Sequence, residues 1–292
     1  MNIEIRGIEP KAMVDRPLNG EVIGIGSEGC VNKFCYYMKE LITLSGTKGK
    51  YKDHKIRLVS PRVPEAFTDI VTEYVKSAVE TFNIESIVIN DYGLLSRLHN
   101  EGVRKTPFIL GRTLVRSLEY APWSEYIVRF EEDEVQKNLL IPSIFHSAKL
   151  ELLNKYNVVG TELCPTRTVG EFIPALKSKG LKVYMHYNTV IASMGRTCPV
   201  VRILGAKVGE CMHLCDSSVD VKISKGWGLK QTADNSNITG IAPLYKCVGN
   251  AVYYLVNSSH TPFELCDSVI FDSILNNTTD IDFEYYNEEV MC

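Results

Sequence analysis

The chain has 292 residues, with 32 Lys and Arg against 35 Asp and Glu, a formal net charge of -3, 45% apolar and 23% charged residues. A chain of this size buries a core without needing disulfides or a structural metal, and its near-neutral charge excludes a generic polyanion binder, whose affinity comes from clustered Lys and Arg. No run of eighteen apolar residues is present and residues 1–10 lack a signal-peptide core, so the expectation is a cytoplasmic protein with no membrane span.

In chain order, residues 21–26 (EVIGIG) form a short apolar run ending in glycine. Residues 55–60 (KIRLVS) alternate and stop at Pro61. Val63, Phe67, Val71, Val75, Ala78 and Phe82 then recur at helical spacing. Residues 86–91 (SIVIND) and 107–111 (PFILG) read as buried strands, and residues 139–143 as a further one. A helical stretch over 148–156 leads into a strand at 158–162, and a helix over 169–178 leads into a strand at 181–186. Strands separated by helices imply a parallel sheet. About seven such strands before Asn188 predict an α/β protein, a (β/α) TIM-like barrel that is incomplete or irregular.

After Asn188 the pattern breaks into a cysteine-bearing, glycine-containing insertion. Residues 238–247 and 251–257 then read as a hairpin around Gly249 and Asn250, followed by a helix over 261–275 and an acidic tail over 280–292. The expected organisation is one domain, 1–292. Within it, 16–190 is the barrel core, 191–235 the cysteine-bearing loop region, and 236–292 the C-terminal strands, helix and tail.

The nine cysteines are the feature that composition does not explain: Cys30, Cys35, Cys164, Cys198, Cys211, Cys215, Cys247, Cys266 and Cys292. In a reducing compartment, spaced cysteines read better as metal ligands or reactive groups than as disulfides. Cys198-x12-Cys211-x3-Cys215 supplies three soft ligands, suited to iron or zinc. Cys30 follows the 21–26 strand, and in a barrel all strand-to-helix loops gather at one mouth, so it is the first candidate for the fourth ligand. Cys247 is the second. Against this stands the plain reading of unrelated buried thiols, which is the reading given to Cys35, Cys266 and Cys292.

GIGSEGC at 24–30, VIND at 88–91, ILGRTL at 109–114 and MHYNTVIASMGRTC at 185–198 together resemble the peptidase U-32-like superfamily. The x12 and x3 spacing is similar to its UbiU/UbiV-type iron–sulfur branch, in particular the UbiV side. The resemblance implies a [4Fe-4S] cluster on Cys30, Cys198, Cys211 and Cys215. It also implies oxygen-independent hydroxylation or a related redox modification of a small molecule or biosynthetic intermediate. Members of that branch work as heterodimers, so a paralogous partner subunit is implied, with the electron donor left unnamed. In other branches a ligand comes from the region of Cys247. The superfamily's historical name suggests peptidase activity, but no G-x-S-x-G, no H-E-x-x-H and no Cys/His nucleophile order is present.

Polar residues at strand ends should share the barrel mouth: Glu28, Asn90, Asp91, Arg112, Glu162, His186 and Asn188. Asp91, Glu162 and His186 are the catalytic candidates, with Asp91 and Glu162 as a conceivable acid–base pair. The plainer readings are that Asp91 caps the following turn and His186 is a satisfied core residue. Three functions follow from the sequence: an iron–sulfur enzyme subunit, a noncatalytic cluster-bearing partner of a related catalytic subunit, or a zinc-stabilised small-molecule-binding barrel. Nucleic acid is not expected to bind the chain by itself.

Overall fold

Alternating side chains on short β-branched runs place one face of each strand inward and the other outward, and eight such strands close the barrel. They are β1 (Asn2–Arg6), β2 (Val22–Gly26), β3 (Lys55–Val59), β4 (Ile84–Ile89), β5 (Phe108–Leu110), β6 (Val158–Leu163), β7 (Lys182–His186) and β12 (Ser268–Asp272). All neighbours pair in parallel, in the order β1-β12-β7-β6-β5-β4-β3-β2. This computed structural model describes residues 2–13, 22–44, 55–117, 133–135, 141–145, 147–166, 168–195, 198–203, 205, 211, 215–221 and 245–276. None of its helices is long and apolar enough to cross a membrane.

The outward faces carry the apolar core. Ile5, Ile23, Ile56, Leu58, Ile87, Phe108, Val183 and Val269 pack against helices α2 (Val31–Thr43), α3 (Thr68–Thr81), α4 (Tyr92–Asn100), α5 (Ser147–Lys155) and α6 (Val169–Ser178). Short α1 (Pro10–Met13) precedes them and packs on α2. The helices form where apolar residues recur at three and four positions, so one stripe meets the sheet. Asp91 starts α4 by accepting a bond from Leu94 N at 3.0 Å.

The expected α/β barrel is therefore present, closed by eight strands rather than incomplete, with two differences in its membership. Residues 2–6 form a barrel strand, and β12 closes against it with Asn2 opposite Ser268 and Arg6 opposite Asp272. The barrel thus extends beyond the expected 16–190 core at both ends. The expected strand over 139–143 does not form within the described residues, where Ser143–Phe145 is a 3-10 turn and 139–140 lie outside them. The expected helix over 261–275 is instead a 3-10 turn at Phe263–Leu265, the strand β12, and the short α8 (Ser273–Asn276). The sequence SVIFD is β-branched and aromatic, and pairing on both sides with β1 and β7 satisfies its backbone as strand.

Between β7 and β12 the chain builds a second, antiparallel sheet. Its strands β8 (Thr189–Met194), β9 (Val219–Val221), β10 (Tyr245–Val248) and β11 (Ala251–Leu255) lie in the order β8-β11-β10-β9, with α7 (Pro199–Ile203) beside β10. The expected hairpin at Gly249 and Asn250 is β10–β11, paired from Tyr245 opposite Tyr254 to Val248 opposite Ala251. Residues 238–244, 222–237 and the acidic tail lie outside the described residues.

Candidate functional site

The inward faces of the barrel are unusually ionic. β1 directs Glu4 and Arg6 inward, β3 Arg57, β6 Glu162 and β7 His186, and all five are buried. Arg6 donates to Glu4 at 2.7 Å and binds Glu162 through both terminal nitrogens. Arg57 binds Glu4, donates to Ser86 at 2.8 Å, and lies 4.4 Å over the Tyr184 ring. His186 Nε2 sits 3.1 Å from Glu162, and its Nδ1 is buried with no partner among the described residues. Burial drives the His186 pKa well below its ordinary value, and the charges of Arg112 and Arg6 push the same way, so the ring is neutral. Gly24 leaves room for this network, because a Cβ there would stand 2.6 Å from Arg6 Cγ and 2.7 Å from Glu4 Oε1.

Above this layer, Glu28 and Arg112 form a second buried pair. Arg112 Nε donates to both Glu28 oxygens at 3.1 Å, and its Nη1 reaches the Thr189 carbonyl at 2.9 Å, tying β5 to β8. The Tyr253 ring of β11 lies 5.2 Å from the same guanidinium. Arginine beside Glu28 holds that carboxyl below its usual range against the opposing effect of burial. Glu28, Glu162 and His186 bring ligand-type atoms within 4.8 Å of one another. Both carboxylates are already bound by arginine, and Glu4, Glu28 and Glu162 balance Arg6, Arg57 and Arg112. A divalent ion would have to displace a guanidinium and leave it buried without a counter-charge, so these residues form an ion-pair network rather than a metal cage.

The thiols converge on the tip of the β10–β11 hairpin. Cys30 begins α2 as its N-cap, with Sγ accepting from Lys33 N at 3.4 Å. Gly249 N donates to Cys215 Sγ at 3.3 Å, and Cys198 Sγ donates to the Gly249 carbonyl at 3.2 Å. Gly249 has φ +59, and a Cβ on it would stand 2.6 Å from Cys30 Cβ. Asn250 N donates to the Gly29 carbonyl at 2.7 Å, which docks the hairpin on the β2–α2 loop. Cys211 lies near enough to Cys30 and Cys215 to raise the pKa of both. Cys247 is buried in the same apolar cluster, and its thiol is raised by burial and then by the nearby Cys198.

Burial pushes the Cys30 thiol up to about 11, opposed by the Lys33 backbone N–H, and burial also raises Cys215. Cys30 and Cys215 therefore hold their protons at neutral pH, and a metal binding there would have to displace them. Lys33 is buried at the base of the group. Its Nζ donates to the Cys215 carbonyl, lies 3.8 Å from the exposed Asp216, and sits 5.3 Å from the Tyr37 ring.

No protein-family model matches the chain, and no curated protein matches it. What the site can do therefore rests on its geometry and on the sequence resemblance.

Of the expected ligand candidates, Cys30, Cys198 and Cys215 meet around Gly249 and Cys211 is near enough to act on Cys30 and Cys215; of the three catalytic candidates, Glu162 and His186 stand together. Asp91 stands apart as the cap of α4, on the wall of a cavity beside β8, and among the described residues no bond joins it to Glu162. Asn90 is buried and held by Ser60, donating to its carbonyl at 2.8 Å, while Asn188 N donates to Ser258 Oγ at 2.9 Å. Sequence reasoning missed Glu4, Arg6, Arg57 and Lys33. For the first two, the alternation of charged and apolar residues in NIEIR was the available signal, since it is also the pattern of a strand with one polar face.

Proposed function

We propose that this chain is an iron–sulfur protein that holds a [4Fe-4S] cluster on Cys30, Cys198, Cys211 and Cys215 and serves redox modification of a small molecule without dioxygen. The observation that carries this reading is the meeting of Cys30, Cys198 and Cys215 around Gly249, from segments as far apart as the β2–α2 loop and the second sheet. Cys211 is the remaining ligand that the sequence resemblance implies, and it lies near enough to Cys30 and Cys215 to add to the effect of burial on both thiols. When bound, such a cluster supplies one-electron transfer at a potential set by hydrogen bonds, charge and exposure.

The residues present fit that group. Gly249 leaves the space a side chain would fill, its N–H is already directed at one sulfur, and buried Lys33 offers positive charge where thiolates would be negative. Thiolates bound to different irons of a cluster stand farther apart than the roughly 3.8 Å that a single tetrahedral zinc ion imposes on its sulfurs, so metal and sulfide content of the purified protein separates the two metals.

A noncatalytic role as the cluster-bearing half of a complex is the second reading. It is favoured by the burial of Glu162 and His186, with Glu162 held by Arg6 and neutral His186 hydrogen-bonded to Glu162, so neither offers a free acid or base to a molecule at the mouth. Anaerobic purification tests the primary reading: iron and sulfide in equal amounts, with broad thiolate-to-iron absorption, are expected. A colourless protein carrying one zinc would overturn it. Cys30→Ala should lose the cluster; iron retained in Cys30→Ala but lost in Cys247→Ala would move the fourth ligand to Cys247. Turnover by the isolated chain would rule out the noncatalytic reading.

A further inference from the structure

A cavity of about 390 Å³ opens at the C-terminal mouth of the barrel, between the loops that follow β3, β4 and β5 and the flank of β8. This is within the range of small-molecule sites, roughly 300–1,000 Å³, at the compact end. Its apolar wall is Leu114, Ile191 and Met194, and its charged groups are Arg62, Arg116 and Asp91. The charges are unequal in their engagement. Asp91 is occupied as the α4 cap. Arg116 donates to the Ala192 carbonyl at 2.7 Å and, like Arg62, has no carboxylate partner among the described residues. The interior arginines behave differently: Arg6, Arg57 and Arg112 each bind a glutamate.

The wall also leads to the thiols. Ile191 and Met194 belong to the apolar cluster that contains Cys215 and Cys247 and packs against Cys198. A molecule seated in the cavity therefore shares one strand, β8, with the cysteine group.

We propose that this cavity binds a small organic carboxylate, with its carboxylate between Arg62 and Arg116 and a compact apolar body on Leu114, Ile191 and Met194. Arginine suits the role because its planar fork matches a carboxylate in bidentate fashion. Met194 and Ile191 supply adaptable apolar contact. That the bound acid is the molecule modified by the cluster rests on the function proposed above; the binding itself does not.

Full-length protein labelled with ¹³C-methyl methionine gives a direct test, with the Met194 resonance assigned through Met194→Leu. Benzoate, neutral benzamide and inorganic phosphate are the probes. Benzoate should shift the Met194 methyl saturably, and benzamide should bind at least about tenfold more weakly, because it cannot make charge-assisted bonds. The Arg62→Gln/Arg116→Gln double variant should lose benzoate affinity by a similar factor. Both arginines are exposed, and the remaining methionine resonances report whether the variant keeps its fold. Equal binding of benzamide, undiminished benzoate affinity in the double variant, or phosphate binding without benzoate binding would each overturn the proposal. If the protein contains no iron yet still binds benzoate, the proposed function fails and this site stands. If it contains iron and ignores benzoate, this site fails and the cluster stands.

Discussion

Glu162 has no exposed surface and faces Arg6 and His186 together, so its removal leaves a guanidinium buried without its counter-charge. Glu162→Ala should destabilise the protein by ~3–5 kcal/mol in urea unfolding, the usual consequence of breaking one side of a buried pair. His186 gives the barrel a defined acid response. Its pKa in the folded protein lies well below the ordinary 6.5, through burial first and the charges of Arg112 and Arg6 second. The unfolded chain therefore takes up a proton that the folded chain refuses as pH falls below that value. Stability from this group is complete above about pH 6.5 and declines as pH falls below it. His186→Leu should flatten that part of the acid limb in melts from pH 7 to 5. Lys33 acts on the other centre. In the cluster-loaded protein, Lys33→Met should retain iron but shift the reduction potential to more negative values, since losing a nearby cation disfavours the added electron. A redox titration followed by electron paramagnetic resonance reads this directly, and an unchanged potential would leave Lys33 with packing alone.

At the scale of elements, the β10–β11 hairpin organises the thiols. Its tip must take φ +59 at Gly249, and a Cβ there collides with Cys30. Gly249→Ala should therefore impair assembly of the proposed cluster, measured as iron per chain, while the barrel strands keep their circular dichroism. The same hairpin explains how much of the site was legible beforehand. Cys30 and Cys198 could be matched to one mouth because each follows a recognisable strand or its extension. The bond from Gly249 N to Cys215 could not, since it depends on how a second sheet folds over the barrel. The strand read at 139–143 does not form over its described residues, 141–143, for a related reason: a short apolar run carries no information about whether neighbouring strands will accept it. β1 was overlooked because its charged residues resemble a surface segment, whereas the barrel turns them inward to pair with β3 and β6.

For the whole molecule, closure is the decisive event. β1 joins β12 across nearly the full chain, and without it both β2 and β12 present an open edge. Deleting residues 2–7 should abolish the cooperative unfolding transition and expose apolar surface to a hydrophobic dye, rather than lower stability by a small increment. Arg6 and Glu4 leave with the same segment, so the interior network loses its centre as well as its seam. The sequence by itself determined the repeating strand–helix units, the hairpin at Gly249 and the cysteine spacing, because side-chain alternation, turn residues and ligand intervals are local properties. Only the tertiary structure decided which strands close the barrel, which carboxylates are consumed by arginine, and which thiols meet. Those outcomes depend on pairing between residues far apart in the chain, where burial and charge balance act and no local pattern specifies the partner.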